Sequence, residues 1–167
     1  MARSEPIRHT KSDPAYLPFI DNSQRQFSIN GYFPEWVVAD TGCAPVIMGS
    51  TMAKLCQIET DPTDIVLRTA ANTTERVQGI SRVAVIIVLL GQHGERMTVH
   101  CRVLVNTHET TEVMLGQEVL RVAGCDINLF DDCLYFKPYA SIGLYHKAVI
   151  PFLKGDTALR AAGCTIL

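Results

Sequence analysis

The chain has 167 residues, 47% hydrophobic and 19% charged, which is enough apolar content for a packed core and excludes wholesale disorder. A formal net charge of −2 leaves no basic surplus to neutralise phosphates, so no nucleic-acid partner is expected. The longest apolar run, Val83–Leu90, is too short to span a bilayer as a helix, so no membrane partner is expected either.

Residues 1–24 are polar, carry Pro6, Pro14 and Pro18, and read as an extended leader. Beyond them the pattern becomes short strands separated by turn signals. Phe27-Ser28-Ile29 alternates and Asn30-Gly31 is a strong hairpin turn. Trp36–Ala39 is an apolar strand running into Asp40-Thr41-Gly42. Gly49–Cys56 reads as a short helix with Met48, Met52 and Leu55 on one face. A second hairpin follows: Ile65–Arg68 rises, Ala70–Thr73 turns and Glu75–Ile80 returns. Val83–Leu90 predicts a buried strand, and Gly91–Gly94 turns the chain into another at Met97–Val105. Glu112–Leu115 is a short strand, followed by Gly116 and a helical turn over Gln117–Val122 that ends at Gly124. Ile127–Phe136 predicts a strand pair turning at Asp131-Asp132. After Pro138 the regularity weakens, and 139–167 reads as a tail or extension.

Evenly spaced short strands with one or two helical turns predict an all-β barrel or sandwich. A faint internal echo is visible. Trp36–Gly42 and Glu112–Gly116 are both apolar strands ending in glycine, each with a short helix after it.

The six cysteines form no C-x-x-C pair, which disfavours zinc, and no metal is expected. The N-terminus has no apolar signal segment, so a cytoplasmic chain with reduced, mostly buried thiols is expected rather than a disulfide-stabilised secreted domain. His100 and Cys101 are strand neighbours facing opposite ways, which argues against a Cys–His catalytic pair.

Asp40-Thr41-Gly42 is the most informative triplet. A carboxylate directly after four apolar residues carries a solvation cost, and the glycine lets a backbone N–H approach it. The chain here resembles the retropepsin-like aspartic proteases, the retroviral, retrotransposon and related cellular family. Three ordered elements carry the resemblance: WVVADTG at Trp36–Gly42, the Ile65–Ile80 hairpin in the place of the family's flap, and Val113-Met114-Leu115-Gly116 followed by a short helix. The resemblance covers residues 25–138. It implies a closed β-barrel protomer with one or two short helices, active as a homodimer.

It also implies an aspartic endopeptidase acting on a polypeptide substrate, with no cofactor and no metal. Asp40, Thr41 and Gly42 are the implied catalytic residues. Cys43, Ala44, the hairpin residues Ala70, Ala71, Asn72 and Thr73, and Leu115 and Gly116 are the implied substrate contacts. A single D-T-G means that the second carboxylate must come from a second chain, with Asp40 from each facing across the twofold axis. Two departures stand out. Cys43-Ala44 follows the triplet where the family commonly has Ala or Ser and then an acid or hydroxyl. Gln117 stands where retroviral members with that acid carry an arginine, so both halves of an ion pair are missing together. The hairpin tip has no glycine, which assigns the left-handed position to Asn72. These departures leave a second reading open: a catalytically silent retropepsin-fold dimerisation or peptide-binding module.

Overall fold

The computed structural model describes residues 19–20, 22–40, 42–68, 72–128, 131, 133–137 and 148–152. In chain order the strands and helices are β1 (Phe19–Ile20), β2 (Phe27–Ile29), β3 (Val37–Ala39), β4 (Val46–Met48), α1 (Ser50–Leu55), β5 (Thr60–Asp61), β6 (Val66–Arg68), β7 (Thr74–Arg76), β8 (Gly79–Ser81), β9 (Val85–Leu90), β10 (Arg96–Cys101), β11 (Val103–Val105), β12 (Val113–Leu115), α2 (Gln117–Val122), β13 (Cys125–Asn128), β14 (Cys133–Phe136) and β15 (Ala148–Pro151). The class is all-β with two short helices, as the strand spacing predicts.

A seven-stranded sheet in the order β1-β3-β12-β4-β11-β8-β5 forms the centre. Three of its inner strands, β3, β4 and β11, are buried at every residue, which is why each reads as an unbroken apolar triplet rather than an alternation. The other sheets are β10-β9-β2, β13-β14-β15 and the two-stranded hairpin β6-β7. Phe27, Met48, Met52, Leu89, Leu115 and Phe136 are among the fully buried side chains that join the layers. Phe19–Ile20, in the leader, pairs with β3, and Ala148–Pro151, in the extension, pairs with β14.

Several predicted elements stand as expected. Asn30 and Gly31 both take positive φ, 49° and 82°, the pattern of a type I′ turn. Ile29 and Tyr32 exchange two backbone hydrogen bonds across it at 2.9 Å. Helix α2 occupies the predicted residues, and Gly124 closes it with φ 61°. The β13–β14 turn is held by Asn128, whose side chain bonds Asp131 twice, each at 3.0 Å. Asp132 lies outside the described residues.

Other elements differ. The predicted strand Met97–Val105 is two strands in two sheets, β10 and β11, separated at Arg102. Opposite that one residue the partner strand carries three, Arg82-Val83-Ala84, and the surplus forms a bulge that lets the pair pass from one sheet to the next. Val83 therefore stands 71% exposed instead of opening a buried strand, and β9 buries one face only. The return arm of the second hairpin is likewise divided: β7 pairs with β6, whereas β8 joins the central sheet. In α1 the buried residues are Ser50, Met52 and Ala53, with Cys56 just after it, while Leu55 points outward. Cys43, Cys101 and Cys125 are only half-buried, and burial pushes each thiol up, to about 11, 11 and 12. Cys164 lies outside the described residues. Among the described residues no helix is long and apolar enough to cross a membrane.

Candidate active site

The site is built by two interlocked strand–loop–strand–helix units. In the first, β3 leads through the loop at 40–45 into β4 and α1. In the second, β11 leads through the loop at 106–112 into β12 and α2. Strand β12 lies between β3 and β4, parallel to β3 and antiparallel to β4. Strand β4 in turn lies between β12 and β11, parallel to β11. Each unit thus places one strand between the two arms of the other.

Asp40 is the first residue beyond β3. Its N–H donates to the Leu115 carbonyl at 2.9 Å, extending the β3–β12 ladder by one bond. Its carboxylate Oδ1 accepts the Gly42 N–H at 2.8 Å, and its carbonyl accepts the Cys43 N–H at 3.2 Å. Among the described residues, half-buried Asp40 is therefore positioned by backbone groups. The loop then crosses the end of β12. Gln117 N–H donates to the Cys43 carbonyl at 2.7 Å and Glu118 N–H to the Ala44 carbonyl at 2.9 Å. A Cβ on Gly116 would lie 2.6 Å from the Ala44 carbonyl oxygen and 2.7 Å from that of Cys43, so only glycine leaves room for the crossing. These backbone bonds tie the loop to the start of α2.

Asp40, Gly42, Cys43, Ala44, Leu115 and Gly116 are thus brought into one knot. Leu115 and Gly116 are buried beneath the loop, and Leu115 serves it through its carbonyl. Cys43 does not donate to the carboxylate: its Sγ–H points to the Pro45 carbonyl at 3.4 Å. Burial first, and the charge of Asp40 second, push its thiol up to about 11, so it stays protonated at neutral pH. Asn72 and Thr73 are exposed and belong to the separate β6–β7 hairpin, where Asn72 adopts the expected left-handed backbone, φ 61°. Thr41, Ala70 and Ala71 lie outside the described residues. Among the described residues no group of His, Cys, Asp or Glu side chains is arranged to hold a metal.

The second unit repeats the first. Asn106 is the first residue beyond β11, and its N–H donates to the Met48 carbonyl at 3.0 Å. Its Oδ1 accepts the His108 N–H at 3.0 Å. The loop crosses the end of β4, where a Cβ on Gly49 would meet the Thr110 backbone. Ser50 and Met52 N–H groups donate to the His108 and Thr110 carbonyls at 2.8 and 3.1 Å. Asn106-Thr107-His108 is therefore the internal counterpart of Asp40-Thr41-Gly42. The sequence echo has the wrong partner, because it matches the Asp40 strand with β12 instead of β11. Val103-Leu104-Val105-Asn106-Thr107, beside Val37-Val38-Ala39-Asp40-Thr41, is the signal that identifies it.

This arrangement has a precedent among solved structures. The chain is similar to the crystal structure of the retroviral protease-like domain of Ddi1 from Leishmania major, with a TM-score of 0.51. The match covers 84% of this chain and 96% of that one at 14% sequence identity.

The fold is retropepsin-like.

No protein-family profile matches the sequence. No curated protein matches it either. The likeness to retropepsins thus resides in the fold and in the short motifs.

Proposed function

We propose that the protein is an aspartic endopeptidase that hydrolyses extended, mainly apolar polypeptide segments with a water activated between two copies of Asp40. The observation that carries this reading is a half-buried carboxylate, held by backbone at a loop crossing, in a retropepsin-like fold. Peptide hydrolysis by this route needs one carboxylate to take a proton from water and a second to give one to the scissile group. Two such groups a few ångströms apart share one proton, and their titration belongs to the pair. One chain supplies one D-T-G, so a homodimer with the two loops facing across its axis completes the dyad. No metal, cofactor or covalent intermediate takes part. Gly42 offers backbone to the peptide, and the β6–β7 hairpin covers it.

Mixing chains tests the shared site. Equal amounts of wild type and Asp40→Asn, fully exchanged at random, form about half heterodimers. Specific activity per wild-type chain then falls to about half, and on dilution below the dimer dissociation constant the rate scales with roughly the square of concentration. Activity that stays linear on dilution and is not poisoned by the mutant chain rejects the shared dyad. A dimer without hydrolysis of unstructured protein at any pH selects the silent-module reading.

A further inference from the structure

The β6–β7 hairpin is a two-stranded sheet, and such a hairpin is marginal on its own in water. What fastens it to the rest of the molecule therefore matters. Its strands pair Val66 with Arg76, Leu67 with Glu75 and Arg68 with Thr74. Leu67 and Glu75 are half-buried, whereas the residues on either side of them are exposed, so this central pair forms the inner face. From that face Glu75 Oε2 meets His108 Nε2 at 3.0 Å.

The two ends of this contact are anchored unequally. The His108 carbonyl accepts the Ser50 N–H at 2.8 Å, the Ser50 hydroxyl at 3.0 Å and the Thr110 N–H at 2.9 Å. Its own N–H is held by Asn106. The imidazole thus stands on a fixed post, and Glu75 comes from the slender hairpin. A second carboxylate, Glu112 at the entry to β12, is pushed up by burial and partly drawn back by the charge of His108, and Glu109 follows in the same loop. Arg76 lies on the opposite face of the hairpin from Glu75.

We infer that Glu75 and His108 form a pH-dependent clasp that holds the β6–β7 hairpin against the loop at 106–112. A histidine changes charge between about pH 5 and 8, and a carboxylate is ionised throughout that range. With the imidazole protonated the contact is an ion pair. With it neutral, the ring can donate the same hydrogen bond, but without the charge. Both side chains are about half exposed, so the gain is modest, about two- to fivefold in the closed population. The clasp itself needs neither substrate nor dimer. Its consequence, firmer cover of the hairpin over a bound peptide at acid pH, rests on the protease reading.

Amide hydrogen exchange on the full chain, corrected for intrinsic exchange, tests the clasp without any activity assay. Amides of 66–68 and 74–76 should be about two- to fivefold better protected near pH 5.5 than near pH 8. Glu75→Gln and His108→Gln should each flatten that response, while Glu112→Gln keeps it. Joint exchange of the charges, Glu75→Lys with His108→Glu, should restore protection at both pH values. A flat wild-type response overturns the clasp, as does a pH response that survives in either single variant. Failure of hydrolysis leaves the exchange result standing, and a flat exchange result leaves the proposed activity standing.

Discussion

The loop after β3 and the loop after β11 leave their strands in the same way. Each opens with a residue whose N–H extends a sheet ladder, to Leu115 in one and to Met48 in the other. Each then closes a turn in which a side-chain oxygen accepts the N–H two residues on, at 2.8 Å for Asp40 and 3.0 Å for Asn106. Each finally crosses a strand end at a glycine with no room for a Cβ. The difference lies in the side chain: a carboxylate at 40 and an amide at 106. The turn needs an acceptor oxygen, which Asn supplies as well as Asp. A half-buried charge costs solvation that the amide avoids. The fold therefore has no structural need for a charge at 40, and the property peculiar to Asp40 is that it can exchange a proton.

Making the two loops chemically alike is the strongest test of that comparison. Asp40→Asn should cost at least about a thousandfold in hydrolysis, the upper part of the range for a lost general acid–base group. Its unfolding free energy should stay within about 1 kcal/mol of wild type, because the amide keeps the bond to Gly42. Steady-state rates and urea unfolding measure the two. A stability loss of several kcal/mol would show that the loops are not equivalent.

Next in size are the crossings. Gly116→Ala and Gly49→Ala should each destabilise the chain by about 1–3 kcal/mol, since the new Cβ meets backbone that cannot turn aside. Similar losses at both positions would confirm the equivalence of the units, and a neutral Gly116→Ala would break it. Asn106→Ala should cost about 1 kcal/mol, and Asn106→Asp should recover most of it without raising activity, because the acceptor returns but the dyad is elsewhere. Equilibrium unfolding of the pair distinguishes the two effects.

The smallest effect concerns Cys43. Asp40→Asn should lower its thiol from about 11, since a nearby negative charge disfavours the thiolate. It should stay above the ordinary 9.0 because burial, the larger cause, remains. The difference in thiolate absorbance against Cys43→Ser isolates this one thiol. Cys43→Ser should leave the acidic limb of the rate profile in place, because the thiol bonds Pro45 and not the carboxylate. Thiols held above their unfolded value bind protons more tightly in the native state. Their stabilising contribution is complete below about pH 9 and is lost as pH rises towards 11 to 12.

Local chemistry in the sequence was enough for the elements whose cause is local. Asn30-Gly31 can satisfy positive φ at two successive residues, so the turn is legible. Gln117–Val122 ends where Gly124 permits a left-handed residue. Asp40 stands out because a charged residue directly after an apolar strand is costly wherever the strand is buried. Contacts distant in sequence decided the rest. The bend at Arg102 depends on the three residues, 82–84, that stand opposite it on the partner strand. The direction of the Cys43 thiol depends on how its loop crosses β12, and the clasp joins residues 33 positions apart. The pairing of Asp40 with Asn106 as counterparts emerges only from the order β3-β12-β4-β11, because hydrogen bonding between strands, and not order along the chain, defines which loops are equivalent.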